Sequence, residues 1–170
     1  NNGNLTNDGM NAYTYDAQAR RTGESGPLGA FTYAYDTENR MTRITYPNGG
    51  ERNYTYDSQG RVLTEDDGNG NNRLTHAYTA SAHTVTDAFG RATVNEYVER
   101  LGVKRLSRVV DPAGRITSIT YDTKLNLASR TDPRGNVTRY TYDAQGNLTG
   151  TEDAAGGHSL TSYELVYNQV

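Results

Sequence analysis

One four-residue phrase recurs along this chain and limits what it can fold into. Tyr13-Thr14-Tyr15-Asp16, Tyr33-Ala34-Tyr35-Asp36, Tyr54-Thr55-Tyr56-Asp57 and Tyr140-Thr141-Tyr142-Asp143 are near-copies, and Ile119-Thr120-Tyr121-Asp122 is a close variant. Weaker copies stand at His76-Ala77-Tyr78-Thr79, Asn95-Glu96-Tyr97-Val98 and Thr161-Ser162-Tyr163-Glu164. The eight phrases begin at 13, 33, 54, 76, 95, 119, 140 and 161, a period of about 21 residues, and of the 14 tyrosines only Tyr46 and Tyr167 lie outside them. A fixed period of that length marks a repeat architecture, in which each unit packs on its neighbours and not around one shared centre.

The composition agrees with thin packing. Hydrophobic residues make up 34%, mean hydropathy is -0.86, Phe occurs twice, and Trp and Cys are absent, so a large aliphatic core is excluded. Tyrosines and β-branched residues are nonetheless what disordered chains lack, so an ordered chain is expected. The 17 basic and 20 acidic residues are scattered, giving a net charge of -3 with no block of either sign. That pattern argues against nucleic acid and anionic membranes as partners. No apolar run reaches the length of a membrane span, and Asn1-Asn2-Gly3-Asn4-Leu5-Thr6 has neither the basic nor the apolar part of a signal peptide. Without cysteine there are no disulfides or thiolate metal sites, and the compartment stays open.

The unit from Asp132 to Thr151 reads as two strands and two turns. In Val137-Thr138-Arg139-Tyr140-Thr141-Tyr142, alternation puts Tyr140 and Tyr142 on one face and Thr141 on the other. Asp143-Ala144-Gln145-Gly146 then has the Asp-first, Gly-fourth pattern of a type I turn, and Asn147-Leu148-Thr149-Gly150-Thr151 returns. The turns that link units are read at Asp132-Pro133-Arg134-Gly135 and Asp111-Pro112-Ala113-Gly114, and in looser form at Pro47–Gly50, Asp66–Gly70 and Asp87–Gly90. Repeated eight times, this predicts an all-β chain of tandem antiparallel β-hairpin repeats. Val94, Tyr97, Val98 and Leu101 also fit a helical spacing; with Gly102 following at once, a hairpin with a longer connection is expected there, a short helix being the competing reading.

Eight hairpins give about sixteen strands and a ribbon about 77 Å long, which twist prevents from staying flat. Closed into one ring it would be only about 25 Å across, too narrow to enclose a domain whose radius of gyration is about 13 Å. The expectation is therefore a curved ribbon, an arc of a spiral hollow β-shell. The whole of residues 1–170 reads as a single array cut from a longer chain, since Gly3-Asn4-Leu5-Thr6 matches Gly146-Asn147-Leu148-Thr149, Val170 falls within a repeat, and no polar cap is evident.

The full motif, Tyr-x-Tyr-Asp-x-x-Gly-(Arg/Asn)-aliphatic, as in Tyr54 to Val62 and Tyr140 to Leu148, resembles that of the RHS or YD-repeat family over nearly the whole chain. The resemblance implies hairpin ribbons that spiral into a hollow shell enclosing a toxic C-terminal domain during export and delivery. Relatives include bacterial polymorphic toxins, toxin-complex subunits, cell-wall-associated proteins and teneurins. It implies a secreted or cell-surface bacterial protein whose partners are the neighbouring repeats and the enclosed toxin or cargo domain. Departures are Ala19 and Asn39 in place of turn glycines, and the missing double aromatic at His76 and Asn95, where packing is expected to be least regular.

Residues assigned to the structural repeat motif are Tyr13, Tyr15, Asp16, Tyr33, Tyr35, Asp36, Tyr54, Tyr56, Asp57, Gly60, Tyr121, Asp122, Tyr140, Tyr142, Asp143 and Gly146, with Asp111, Gly114, Asp132 and Gly135 as inter-repeat turns. No catalytic residue, metal ligand or cofactor is assigned. Asp111 and Asp132 head Asp-Pro-x-Gly phrases such as an aspartyl self-cleaving centre would use, but their separation is the repeat period, and turns explain both. Asp67, Asn69 and Asn71 alternate like calcium ligands, yet Asn72 replaces the required Gly and Tyr78 the bidentate Glu, so a solvated turn is expected. His76, His83 and His158 match no metal spacing. The tyrosine rows admit two uses: stacking between hairpins, or, in an adhesion module, an exposed ladder that binds glycans or a partner protein.

Overall fold

The computed structural model describes residues 3–161; the eighth phrase, at Thr161–Glu164, otherwise lies outside the described residues. All regular structure in that span is β. The strands are β1 (Ala12–Tyr15), β2 (Arg21–Gly26), β3 (Gly29–Tyr35), β4 (Met41–Thr45), β5 (Glu51–Tyr56), β6 (Val62–Asp66), β7 (Leu74–Tyr78), β8 (Ala82–Thr86), β9 (Ala92–Arg100), β10 (Val103–Val110), β11 (Ile116–Tyr121), β12 (Leu127–Thr131), β13 (Val137–Tyr142), β14 (Leu148–Glu152) and β15 (His158–Leu160). Sheet order is chain order, and every described pairing is antiparallel.

Contacts group the chain into two units. One runs to Ala77 and includes Val85–Arg91; the other comprises Tyr78–Thr84 and the chain from Ala92. In the first, β1 to β6 pair each with the next, closed alternately by Tyr-Asp turns and linking turns. The second repeats the pattern from β9 to β15. Neither holds a buried hydrophobic side chain among the described residues, as the composition requires.

The strands form where they do because β-branched and aromatic residues alternate between five-residue turns. On the tyrosine side the side chains are half-buried, while Thr14, Thr55, Thr120 and Thr141 on the opposite side are exposed. There threonine hydroxyls pair across strands, Thr55 with Thr64 at 2.6 Å and Thr120 with Ser129 at 2.7 Å. Gly23 and Gly150 occupy the partner position opposite Thr14 and Thr141 and are buried, since a Cβ there would meet the threonine Oγ1 at 2.6 and 2.7 Å.

The hairpin at 92–110 differs from the sequence expectation. It is a hairpin and not a helix, but the connection is short: Leu101 and Gly102, at φ 52 and 73, form a tight two-residue turn. The extra length instead lengthens β9 and β10 to nine and eight residues, with a register shift between Leu106 and Arg108. Two consecutive positive φ values suit the right-handed twist of a hairpin, which is why so few residues suffice.

Candidate functional site

Every Tyr-Asp phrase ends in the same five-residue device. In Asp57–Arg61, the Asp57 carbonyl accepts the Gly60 N–H at 3.0 Å, and the Asp57 N–H donates to the Arg61 carbonyl at 2.8 Å. Oδ1 of Asp57 accepts the Gln59 and Arg61 N–H groups at 2.8 and 2.9 Å, while Oδ2 accepts the Arg61 Nε at 2.7 Å. One carboxylate thus satisfies two backbone donors and a guanidinium. The same clasp closes Asp16–Arg20 and Asp36–Arg40 with arginine, and Asp122–Asn126 and Asp143–Asn147 with an asparagine amide in its place.

Three of the linking turns use this device too. Asp87, Asp111 and Asp132 are clasped by Arg91, Arg115 and Asn136 through Oδ2 at 2.6, 2.6 and 2.9 Å. These three linking turns are therefore of the same kind as the Tyr-Asp turns, whereas the one at Tyr46–Gly50 closes by backbone bonds without an aspartate. These bonds favour the charged form and hold the carboxylates below their ordinary pKa: chiefly the backbone N–H of the fifth residue at Asp57, Asp87 and Asp111, and the asparagine amide at Asp132 and Asp143. Asp111 and Asp132 each spend both oxygens within their own turn and share no hydrogen bond.

The clasp continues from one repeat to the next. Arg20 binds Asp16 and also donates through Nη1 to the Asp36 carbonyl at 3.0 Å and to Asn39 Oδ1 at 2.8 Å, its guanidinium lying 4.9 Å from the Tyr35 ring centre. Arg40 does the same toward the Asp57 carbonyl, 3.1 Å, and over Tyr56, 4.8 Å. Asparagine is too short for this reach; in the second unit Lys124 bridges instead, its Nζ donating to the Ala144 carbonyl at 2.8 Å.

The second tyrosine of four phrases ties the hairpins a second way. Tyr15, Tyr35 and Tyr56 donate their hydroxyls to the carbonyls of Leu5, Arg21 and Met41 at 2.7, 2.8 and 2.5 Å, and Tyr121 to that of Leu106 at 2.9 Å. Their acceptors are set by a register shift after the middle residue, as between Thr14 and Tyr15 or Ala34 and Tyr35. Such a bulge interrupts the ladder on the returning strand and leaves groups there to be bonded from outside it. Tyr15 pairs with Arg21, whose carbonyl takes the Tyr35 hydroxyl; Tyr35 pairs with Met41, whose carbonyl takes that of Tyr56. The aliphatic that ends the motif is the cross-strand partner of the second tyrosine, Val62 for Tyr56, Leu127 for Tyr121 and Leu148 for Tyr142. Burial raises the pKa of Tyr33, Tyr54, Tyr56 and Tyr142.

The RHS Repeat family model matches residues 15–51, 35–71 and 121–158, more than half of the chain. This chain belongs to the RHS-repeat family. Its RHS repeats also align with solved structures. The Photorhabdus luminescens Tc holotoxin pore with a TccC3 mutation matches at 19% identity and a TM-score of 0.65, over 84% of this chain and 9% of that one. Crystal structures of TcdB2-TccC3 and of TcdB2-TccC3-Cdc42 match at 18% identity and a TM-score of 0.65, over 88% of this chain. The RHS segment thus has the fold found in those proteins and spans 9% of their length. No curated protein matches the sequence.

Within the RHS repeats, the second tyrosine and the aspartate of each full phrase meet at a hairpin-closing turn, whereas Tyr13, Tyr33, Tyr54 and Tyr140 stand within strands opposite Glu24, Ile44, Glu65 and Thr151, and Asp111 and Asp132 lie in linking turns. What sequence reasoning left without a role is the residue four after each aspartate, Arg20, Arg40, Arg61, Arg91, Arg115, Asn126, Asn136 and Asn147, although the Arg/Asn choice stood in the motif. The weak repeats at His76 and Asn95 depart from the device. Thr79 Oγ1 stands in for the aspartate, accepting the Ala82 N–H at 2.9 Å, and Tyr78 stacks on His83 with ring centres 4.5 Å apart. Asp67 turns its carboxylate onto its own loop, to the Asn69 N–H and the Asn72 amide at 3.0 and 2.8 Å.

Proposed function

We propose that this chain is a wall segment of an RHS-type β-shell that encloses a cargo, a toxin domain at the C-terminal end of the parent chain, for secretion and delivery by a bacterium. The segment itself carries no catalytic step in this reading; its mechanism is steric isolation. The observation that carries it is the tying of successive hairpins, by both Asp-Arg clasp and tyrosine hydroxyl at Arg20–Tyr35 and Arg40–Tyr56, and by a single link at Tyr15, Tyr121 and Lys124. A wall one sheet thick cannot be held by a core, so links between adjacent hairpins must take its place. The likeness to Tc holotoxin components supports the same reading.

The commitment of the Tyr15, Tyr35, Tyr56 and Tyr121 hydroxyls to backbone carbonyls supports packing over glycan capture as the tyrosines' role. Cryo-EM of the full-length parent protein tests the proposal. Protein density inside a wall formed by these hairpins is the expected result, and an open ribbon, or a wall around solvent, would overturn it.

A further inference from the structure

Asparagine followed by glycine is a chemically fragile step, because glycine has no side chain to hinder its amide nitrogen from attacking the asparagine carboxamide. The chain has such steps at Asn2-Gly3, Asn48-Gly49 and Asn69-Gly70, and Asn2 lies outside the described residues. The other two stand in exposed linking turns, so access to solvent does not separate them. Hydrogen bonding does.

At Asn48 both reacting groups are engaged. The Gly49 N–H donates to the Tyr46 carbonyl at 2.9 Å, and Asn48 Oδ1 accepts the Gly50 N–H at 3.0 Å, so attack requires breaking both bonds and opening the turn. At Asn69 neither is engaged: the Gly70 N–H and the Asn69 carboxamide have no hydrogen-bond partner among the described residues. What holds this loop acts around them. Asp67 accepts the Asn69 N–H at 3.0 Å and the Asn72 amide at 2.8 Å, and Asp66 accepts the Gly68 N–H at 2.9 Å. The clasp asparagines Asn126, Asn136 and Asn147 are protected twice, by amides bonded to aspartate and by Leu127, Val137 and Leu148 as the next residue.

We propose that Asn69–Gly70 is a site of spontaneous modification, at which the folded protein deamidates in water without an enzyme. The Gly70 nitrogen loses its proton to hydroxide and attacks Asn69 Cγ; the Cγ–Nδ2 bond breaks, and the leaving nitrogen takes a proton from water and departs as ammonia. A five-membered succinimide remains. Water then opens the ring: attack at Cγ gives aspartate, and attack at the backbone carbonyl carbon gives isoaspartate, in which the chain runs through Cγ. One water is consumed and one ammonia released, with no change of oxidation state. Either product places a carboxylate two residues from Asp67, and isoaspartate adds one atom to the backbone path of the loop. That loop joins β6 to β7, whose ladder pairs Thr64 with Thr75 and Glu65 with Leu74. The step is independent of whether a cargo is enclosed.

Incubating the protein in mildly alkaline buffer, folded and in parallel in guanidinium chloride, tests the proposal. Trypsin then separates the two sites, in residues 62–73 and 44–52, and mass spectrometry locates the replacement of the amide –NH2 by –OH. In the folded protein Asn69 should convert at least about tenfold faster than Asn48, which must first lose two hydrogen bonds. In guanidinium chloride the two should convert at similar rates. Asn69→Gln should abolish the change in residues 62–73, and conversion of Asn69 should quicken as pH rises, because hydroxide takes the Gly70 proton. Equal rates at the two sites in the folded protein, an Asn69 that converts only when unfolded, or persistence of the change in the Asn69→Gln protein would each overturn the proposal.

Discussion

At the scale of single residues, the fourth position of each turn is where sequence and conformation disagree. Glycine fills it at Gly60, Gly90, Gly114, Gly135 and Gly146, all with positive φ, while Ala19 and Leu125 hold the same conformation with a side chain. The left-handed region costs a non-glycine residue about 1–2 kcal/mol. Ala19→Gly and Leu125→Gly are therefore expected to stabilise the chain by up to about 1 kcal/mol each, part of the gain being offset by the greater freedom of glycine in the unfolded chain. Gly60→Ala should do the reverse; chemical denaturation of the three variants checks both signs. The aspartates give a second expectation. Their folded pKa values lie below the unfolded value of about 3.9, so their contribution is complete above that pH and lost as pH falls through the lowered values. Melting temperature should hold from neutral pH to about 5 and fall below about 4, with a shallower fall in Asp57→Asn and Asp111→Asn proteins. Equal acid slopes in the variants and the parent would count against the clasp. The turn positions were readable because Asp and Gly are chosen there for local geometry. The reach of Arg20 and Arg40 was not, since it depends on how far one hairpin lies from the next.

At the scale of hairpins, the tyrosine hydroxyl is the part of the tie that can be removed alone. Tyr56→Phe deletes the bond to the Met41 carbonyl but keeps the ring under Arg40, and should cost about 0.5–1.5 kcal/mol. Tyr56→Ala also removes the ring and should cost more. If the Phe variant melts like the parent, the hydroxyl does not link the hairpins. Strand type and alternation were legible from Tyr-Thr-Tyr itself. The register shift after the middle residue was not, because nothing in Thr55 or Tyr56 distinguishes a regular ladder from a bulged one; only the pairing of Tyr56 with Val62, with Leu63 left over, reveals it. The 92–110 hairpin erred for a related reason: a spacing of 24 between phrases says how many residues intervene, not whether they extend strands or a loop.

At the scale of the whole molecule, the absence of buried hydrophobic side chains among the described residues sets the thermodynamics. Heat capacity change on unfolding follows apolar burial, and ordinary domains show about 12–15 cal/mol/K per residue. Calorimetry should give a distinctly smaller value here. A value in the ordinary range would mean that the tyrosine side is covered far more completely than the described residues show. The repeat architecture was visible from the tyrosine period alone, whereas the grouping of contacts into two units left no mark in the motif spacing.

Because the ties run from one hairpin to the next along the chain, as from Arg20 to Asp36 and from Tyr56 to Met41, each hairpin is bound chiefly by its immediate predecessor and successor. Tension applied to one end would then load a single pair of ties at a time, and the protein should yield as a zip fastener does, tooth by tooth, with a run of small, similar force peaks spaced by the length of one repeat.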